Sequence, residues 1–426
     1  MAIVNAISAP DDNCSAGKAH TPTLTVDAAR LRAVAATRVI VDTETINLFD
    51  AQNRVTASPI VARSSLPPFD NSAMDGYAVA TASLTGDGPW RLPVSGRIIA
   101  GDSRHHTLLP NTAQSIFTGA PIPENADAII MQENVLRDGA EIVVTARPKP
   151  GMNIRLMGED CAQGSVALSA GLILTPPRLA LLAGTGVETV TVKKRLRVGL
   201  FSTGNELREP GQTLAHGQIY NSNRVLLRAM LNKPWIVIND YGIVRDEPNL
   251  IQQTLCHAAL ENDVIISSGG VSAGEEDHVL DALQRVKADL QVLKIAIRPG
   301  KPLTVGRIGD ALYFGLPGNP YAAAITFTQI AQPALRKAAG ITETPDNWLS
   351  GVADFTYSRK SGRTEFVPVM WTERDALGRP KLQRLGVGAS ASLTPVALAM
   401  GIAALPANFD AIHPGMPLTV EPIGEA

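Results

Sequence analysis

Between residues 196 and about 340, apolar runs of strand length alternate with segments of helical periodicity, and few folds accommodate that alternation. Residues 198–201, 235–239, 264–267 and 312–314 read as strands. Helices are expected near 222–231, 248–260 and 277–286, and over a long stretch ending near Gly340. Strands joined through crossover helices form a parallel sheet buried on both faces. The last helix is the best signalled: Asn319 can cap it, Pro320 occupies a first-turn position that needs no N–H, and Gly340 supplies a left-handed stop. Ligands of such sheets bind beyond the carboxyl ends of the strands. Two glycine-rich segments fall there: Ser267-Ser268-Gly269-Gly270-Val271-Ser272-Ala273-Gly274 and Gly315-Leu316-Pro317-Gly318-Asn319-Pro320.

The chain has 426 residues, more than one hydrophobic core usually supports. Residues 1–22 read as a disordered tail. The α/β domain comprises 23–44 and 196–345, its first helix capped by Thr25. A connector is expected over 45–63 and 165–195, with a helix opened by Pro176-Pro177-Arg178. Short alternating strands separated by Gly, Pro, Asn and Asp make 64–164 a β-rich insert, and 346–426 a small C-terminal β domain. The expected class is therefore α/β and multidomain.

A formal net charge of −2 and an aromatic share of 4% argue against nucleic-acid binding, which needs a basic field or stacking platforms. Three cysteines without metal-ligand spacing indicate neither a disulfide framework nor a zinc site, so a reducing cytoplasm is expected. No run of about 18 apolar residues suggests a membrane span.

Glycine lets the main chain approach an anion with bare N–H donors. Carboxylates beside such a loop cannot face that anion unless a cation or proton intervenes. Glu206, Asp246 and Asp277 each follow a strand of the same expected sheet, and as oxygen donors they suit Mg²⁺; each alone also reads as a surface acid or helix cap. Lys294, Arg298 and Lys301 flank a Pro-Gly turn. On one strand Lys294 and Arg298 would share a face, either as an oxyanion cluster or as a solvated edge. In the insert, Asp75 lies in Phe69-Asp70-Asn71-Ser72-Ala73-Met74-Asp75-Gly76-Tyr77, Thr118 in Thr118-Gly119-Ala120-Pro121, and Asp160 in Gly158-Glu159-Asp160; ordinary turns explain each of these locally. No Ser-His-Asp or Cys-His order suggests covalent hydrolysis.

Together with Phe201-Ser202-Thr203-Gly204-Asn205-Glu206-Leu207 and Arg298-Pro299-Gly300-Lys301-Pro302, these segments resemble, in order and over nearly the whole chain from about residue 24, the MoeA family of molybdopterin molybdenumtransferases, which includes the E domain of gephyrin. The resemblance implies a MogA-like molybdopterin-binding domain, four-domain subunits and an elongated homodimer. It implies insertion of molybdate into adenylylated molybdopterin with Mg²⁺ and release of AMP. By motif position, Glu206, Asp246 and Asp277 would hold the metal. Lys294, Arg298, Lys301, Ser268, Gly269, Gly270, Ser272, Pro317, Gly318 and Asn319 would hold the anionic substrates, and Asp75, Thr118 and Asp160 would complete the cleft. Arg363 looks like the family's arginine in the last domain. Ser390, in Gly388-Ala389-Ser390-Ala391-Ser392, is an imperfect counterpart of its serine motif, and Arg298 stands where lysine is frequent. Implied partners are the molybdopterin adenylyltransferase and downstream cofactor-handling or molybdoenzyme proteins. Two other functions fit parts of the pattern: adenylyl transfer by the sheet domain alone, and a peptide-binding scaffold.

Overall fold

The computed structural model describes residues 23–270, 278–343, 348–386 and 390–423. Asp277 and Ser272 therefore lie outside the described residues. Those within Met1–Arg38, Leu196–Lys337 and Pro345–Ala426 form one compact unit, and those within Val39–Arg195 and Ala338–Thr344 another.

In the first unit a six-stranded sheet has the order Ile236–Val244, Leu196–Thr203, Val264–Ser268, Ala311–Leu316, Leu303–Ile308, Asp289–Leu293. The first four strands are mutually parallel, as the alternation predicts. Leu303–Ile308 runs antiparallel to both of its neighbours, making an antiparallel edge absent from the sequence reading. Asp289–Leu293 buries only one residue fully, so it lacks the continuous apolar run of a central strand. Beneath the sheet, Phe201, Ile265 and Tyr313 pack on Ile251 and Leu255 of the helix Pro248–Glu261 and on Val279 and Leu283 of His278–Arg285. Each such fully buried side chain contributes about 1.5–3 kcal/mol.

The helix opened by Pro320 runs Pro320–Thr326, passes through a π-helical turn at Phe327–Ala331, and resumes over Gln332–Ala338. At the π-turn, Arg30 of the helix Val26–Ala35 donates to the Gln329 carbonyl at 2.9 Å. Thr25 caps that first helix by accepting from the Ala28 amide.

A correction concerns Lys294 and Arg298, which do not share a strand. Asp289–Leu293 ends before Lys294, Ile295 bridges to Leu24, and Ile297–Arg298 joins a different sheet, parallel to Thr364–Met370. The chain here leaves one sheet for another, so spacing by four says nothing about a common face. The second sheet continues through Lys381–Arg384, Leu349–Ala353, Pro417–Pro422 and Gly401–Leu405, and the last of these pairs back onto Thr364–Met370, closing the ring. Leu382, Val367, Leu405 and Val420 fill its core.

In the second unit, Thr43–Asn47 pairs antiparallel with Thr189–Lys193, packed with the helix Pro176–Gly184 around Leu174, Leu182 and Val192. The insert is a six-stranded sheet ordered Ala128–Met131, Gly76–Val79, Ala113–Ile116, Trp90–Ile98, Glu141–Val144, Val135–Asp138. Gly76 is required there, because a Cβ would lie 2.0 Å from the Ile130 carbonyl oxygen.

Candidate functional site

The strand Val264–Ser268 delivers the buried Ser268 to the carboxyl edge of the sheet, where Gly269 and Gly270 turn at φ +91° and +62°. A Cβ on Gly269 would sit 2.7 Å from the Thr203 carbonyl oxygen, and one on Gly270 2.4 Å from Val279 Cγ2. Both conformation and space therefore demand glycine. Asn223, buried on the helix Ser222–Leu231, ties this loop to the next one. Its Nδ2 donates to Ser268 Oγ at 2.6 Å and to the Gly318 carbonyl at 2.8 Å. Asn221 caps the same helix by accepting from the Arg224 amide at 3.1 Å.

Asn221, Asn223, Ser268, Gly269 and Gly318 wall a cavity of about 300 Å³, with Glu206 and Asn319 also in its lining. Four polar atoms in that wall, Ser202 Oγ, Thr203 Oγ1, Asn221 Nδ2 and Asn223 Oδ1, are buried without a hydrogen-bond partner among the described residues. Leaving a buried polar atom unsatisfied costs about 1–3 kcal/mol.

Glu206 follows the strand Leu196–Thr203, and Asp246 follows its parallel neighbour Ile236–Val244. Asn205 joins the two strand ends: its amide donates to Asp246 Oδ2, and its Oδ1 accepts from the Asp246 amide, both at 3.3 Å. Gly204 allows the Glu206 carboxylate to fold over the turn, since a Cβ there would lie 2.5 Å from Glu206 Oε2. This all-oxygen pair fits a hard divalent cation. Among the described residues no group of three His, Cys, Asp or Glu side chains gathers; the third expected carboxylate, Asp277, is outside them.

A second cavity, of about 390 Å³, collects Arg298, Lys301 and Arg363 with Pro317, Asn319 and Ser390. It shares Asn319 with the first. The structure thus brings together cations separated by 65 positions in the chain and excludes Lys294 from this lining. Asn319 occupies the position before the Pro320 helix but makes no side-chain cap. Its Nδ2 instead donates to Ser390 Oγ at 3.0 Å, linking the α/β domain to the C-terminal domain. Gly388 and Ala389 lie outside the described residues.

In the second unit, the Thr118 amide and hydroxyl both donate to Asp75 Oδ1 at 2.8 Å. The amide first, then the hydroxyl, hold the exposed Asp75 carboxyl below the usual carboxylate range. Asp160 is exposed, and its amide donates to the Leu66 carbonyl at 3.1 Å; no such bond joins its carboxylate to Asp75.

Sequence reasoning missed Asn221 and Asn223. Their signal was the polar triplet Asn221-Ser222-Asn223 opening a helix behind a strand end, which by itself reads as ordinary capping.

Family models match residues 24–186 (MoeA N-terminal region, domain I and II), 199–337 (probable molybdopterin binding domain) and 350–423 (MoeA C-terminal region, domain IV). The chain is 39% identical over 346 residues to a molybdopterin molybdenumtransferase of Haemophilus influenzae, covering 80% of this chain and 85% of that protein. It is 38% identical over 332 residues to molybdopterin molybdenumtransferase 2 of Mycobacterium tuberculosis, covering 76% and 82%. A molybdopterin biosynthesis MoeA protein of Pyrococcus horikoshii superposes with a TM-score of 0.79 at 27% identity, over 94% of this chain and all of that one. With all three regions matched in order and relatives this similar over most of their length, the chain belongs to the MoeA family of molybdopterin molybdenumtransferases.

Proposed function

We propose that this enzyme of molybdenum cofactor biosynthesis inserts molybdate into adenylylated molybdopterin with Mg²⁺-dependent release of AMP. The observation carrying this reading is the pair of cavities that meet at Asn319, one cationic and the other lined by polar, uncharged side chains beside Glu206. Molybdate is a doubly charged tetrahedral oxyanion, which Arg298, Lys301 and Arg363 neutralise and which the Ser390 hydroxyl can orient. The nucleotide end of the pterin carries many donors and acceptors, matching Asn221, Asn223, Ser202 and Thr203.

Two anions a few ångströms apart in a poorly screened cleft repel by several kcal/mol. The three cations offset that repulsion on the molybdate side. On the phosphate side the Gly269–Gly270 turn, bare of side chains, lets the main chain come close to the anion. Glu206 and Asp246, together with Asp277, would hold Mg²⁺, which supplies charge neutralisation and polarisation of the phosphoanhydride to AMP. Asp75, kept ionised by Thr118, and Asp160 are proposed to take part from the insert. We further propose that the chain works as a homodimer in the cytoplasm, supplied by an adenylyltransferase and emptied by molybdoenzyme-loading partners. Among the described residues no helix is long and apolar enough to cross a membrane.

The test is to incubate the protein with adenylylated molybdopterin and Mg²⁺, with and without molybdate. Molybdate-dependent AMP release together with activation of an apo-molybdoenzyme is expected. Turnover of ATP and pterin instead would make the chain an adenylyltransferase, and capture of peptides without turnover would make it a scaffold.

A further inference from the structure

Glu365 is a carboxylate that the reaction outlined above does not use, although it is only 2% exposed and sits beside the cationic cavity. It is the strand partner of Arg298, residue for residue, where Ile297–Arg298 runs parallel to Thr364–Met370. Its Oε1 accepts from the Tyr357 hydroxyl at 2.9 Å and lies 3.6 Å from Arg298 Nε. Its Oε2 lies 3.3 Å from Nε of Arg359, whose side chain is 1% exposed. That contact is an ion pair without a hydrogen bond, while the terminal nitrogens of Arg359 donate to main-chain carbonyls, Nη1 to Pro406 at 2.7 Å and Nη2 to Arg363.

We propose that Glu365, held by Arg359 and Tyr357, is the positioning residue of the oxyanion cavity, orienting Arg298 through its carboxylate and Arg363 through Arg359. The two cavity arginines are 65 positions apart in the chain, yet one buried ion pair reaches the side chain of Arg298 and the carbonyl of Arg363. Arg298 is 47% exposed and long, so without a partner it would sample many rotamers. The 3.6 Å separation is longer than a hydrogen bond, which leaves the N–H fork of Arg298 free for an incoming oxyanion while its stem is drawn to one side. The charge of Glu365 is balanced by the buried Arg359, so pairing with Glu365 leaves Arg298 cationic toward an oxyanion. On Arg363 the effect is through the backbone: Arg359 fixes the carbonyl of the residue whose side chain lines the cavity.

This inference rests on the reading of the cavity as the molybdate site. Molybdate binding to the full-length protein is measured by titration calorimetry, and molybdate KM and kcat by AMP release, for Tyr357→Phe, Glu365→Gln and Arg363→Ala. Tyr357→Phe removes one hydroxyl from a half-buried ring and retains the fold, so it carries the test if Glu365→Gln unfolds. Loss of a charge-assisted contact should weaken molybdate binding about tenfold in Glu365→Gln, and loss of the Tyr357 hydrogen bond about threefold. In both, kcat at saturating molybdate and the KM for the adenylylated pterin should stay near the parent's. If Arg363→Ala leaves molybdate binding unchanged, the assignment of the cavity fails. If Arg363→Ala weakens binding while Tyr357→Phe and a folded Glu365→Gln bind as the parent does, or bind more tightly, the positioning role is overturned and the cavity assignment stands.

Discussion

Replacing Asn223 by alanine tests the claim that one buried amide holds the two glycine-rich loops in register. The change deletes the 2.6 Å bond to Ser268 Oγ and the 2.8 Å bond to the Gly318 carbonyl. Ser268 is 2% exposed and keeps only a long 3.5 Å contact to the Pro317 carbonyl, so its hydroxyl is left almost unsatisfied inside the protein. That carries a penalty of about 1–3 kcal/mol, whereas the Gly318 carbonyl can recover water and costs about 1 kcal/mol. The sum, about 2–4 kcal/mol, should lower the melting temperature by roughly 5–15 °C for a unit of this size. Asn223 also lines the cavity proposed for the nucleotide, and its loss should raise the KM for adenylylated pterin about tenfold while molybdate KM changes little. Scanning calorimetry and AMP-release kinetics read the two effects separately. Asn223→Asp keeps the size but turns the donor into an acceptor facing the Gly318 carbonyl, and should be at least as damaging. A variant melting within about 1 °C of the parent with unchanged kinetics would refute the reasoning, since even one lost buried bond predicts a larger shift.

Gly269→Ala should abolish turnover and lower the melting temperature, because the left-handed backbone alone costs about 1–2 kcal/mol and the new Cβ meets the Thr203 carbonyl oxygen at 2.7 Å; an active, stable variant would show that the turn can move. Thr118→Val removes the hydroxyl bond to Asp75 but not the amide bond that contributes most, so the Asp75 pKa should rise part of the way to its ordinary value. Carbon-detected titration of the side chain would register this, and the acid limb of the rate profile should move to higher pH with it. Glu206→Gln should raise the Mg²⁺ concentration needed for half-maximal AMP release, with partial rescue at high Mg²⁺; a flat response would remove Glu206 from the metal site.

The sequence alone determined what short-range physics dictates. The parallel strands were legible because central strands buried on both faces carry apolar runs, as Val264–Ser268 does over its first three residues and Ala311–Leu316 throughout. Glycines at 269 and 270 were legible as a turn no other residue could make, and Thr25 and Pro320 as helix starts. The antiparallel edge was not legible, because its outermost strand, Asp289–Leu293, is largely exposed and lacks that apolar run. What only the tertiary structure decided depends on pairings between distant segments. Whether Lys294 stands with Arg298 turned on where the chain changes sheets, and no spacing rule contains that event. Asn319 carries every local mark of a helix cap, yet its amide bonds Ser390, 71 positions away, because a partner supplied by packing outcompeted the backbone next to it. Asn223 and Glu365 were silent in sequence for the same reason. Their importance lies in which loops and cations they touch, and contacts of that range exist only once each sheet has assembled from its distant strands.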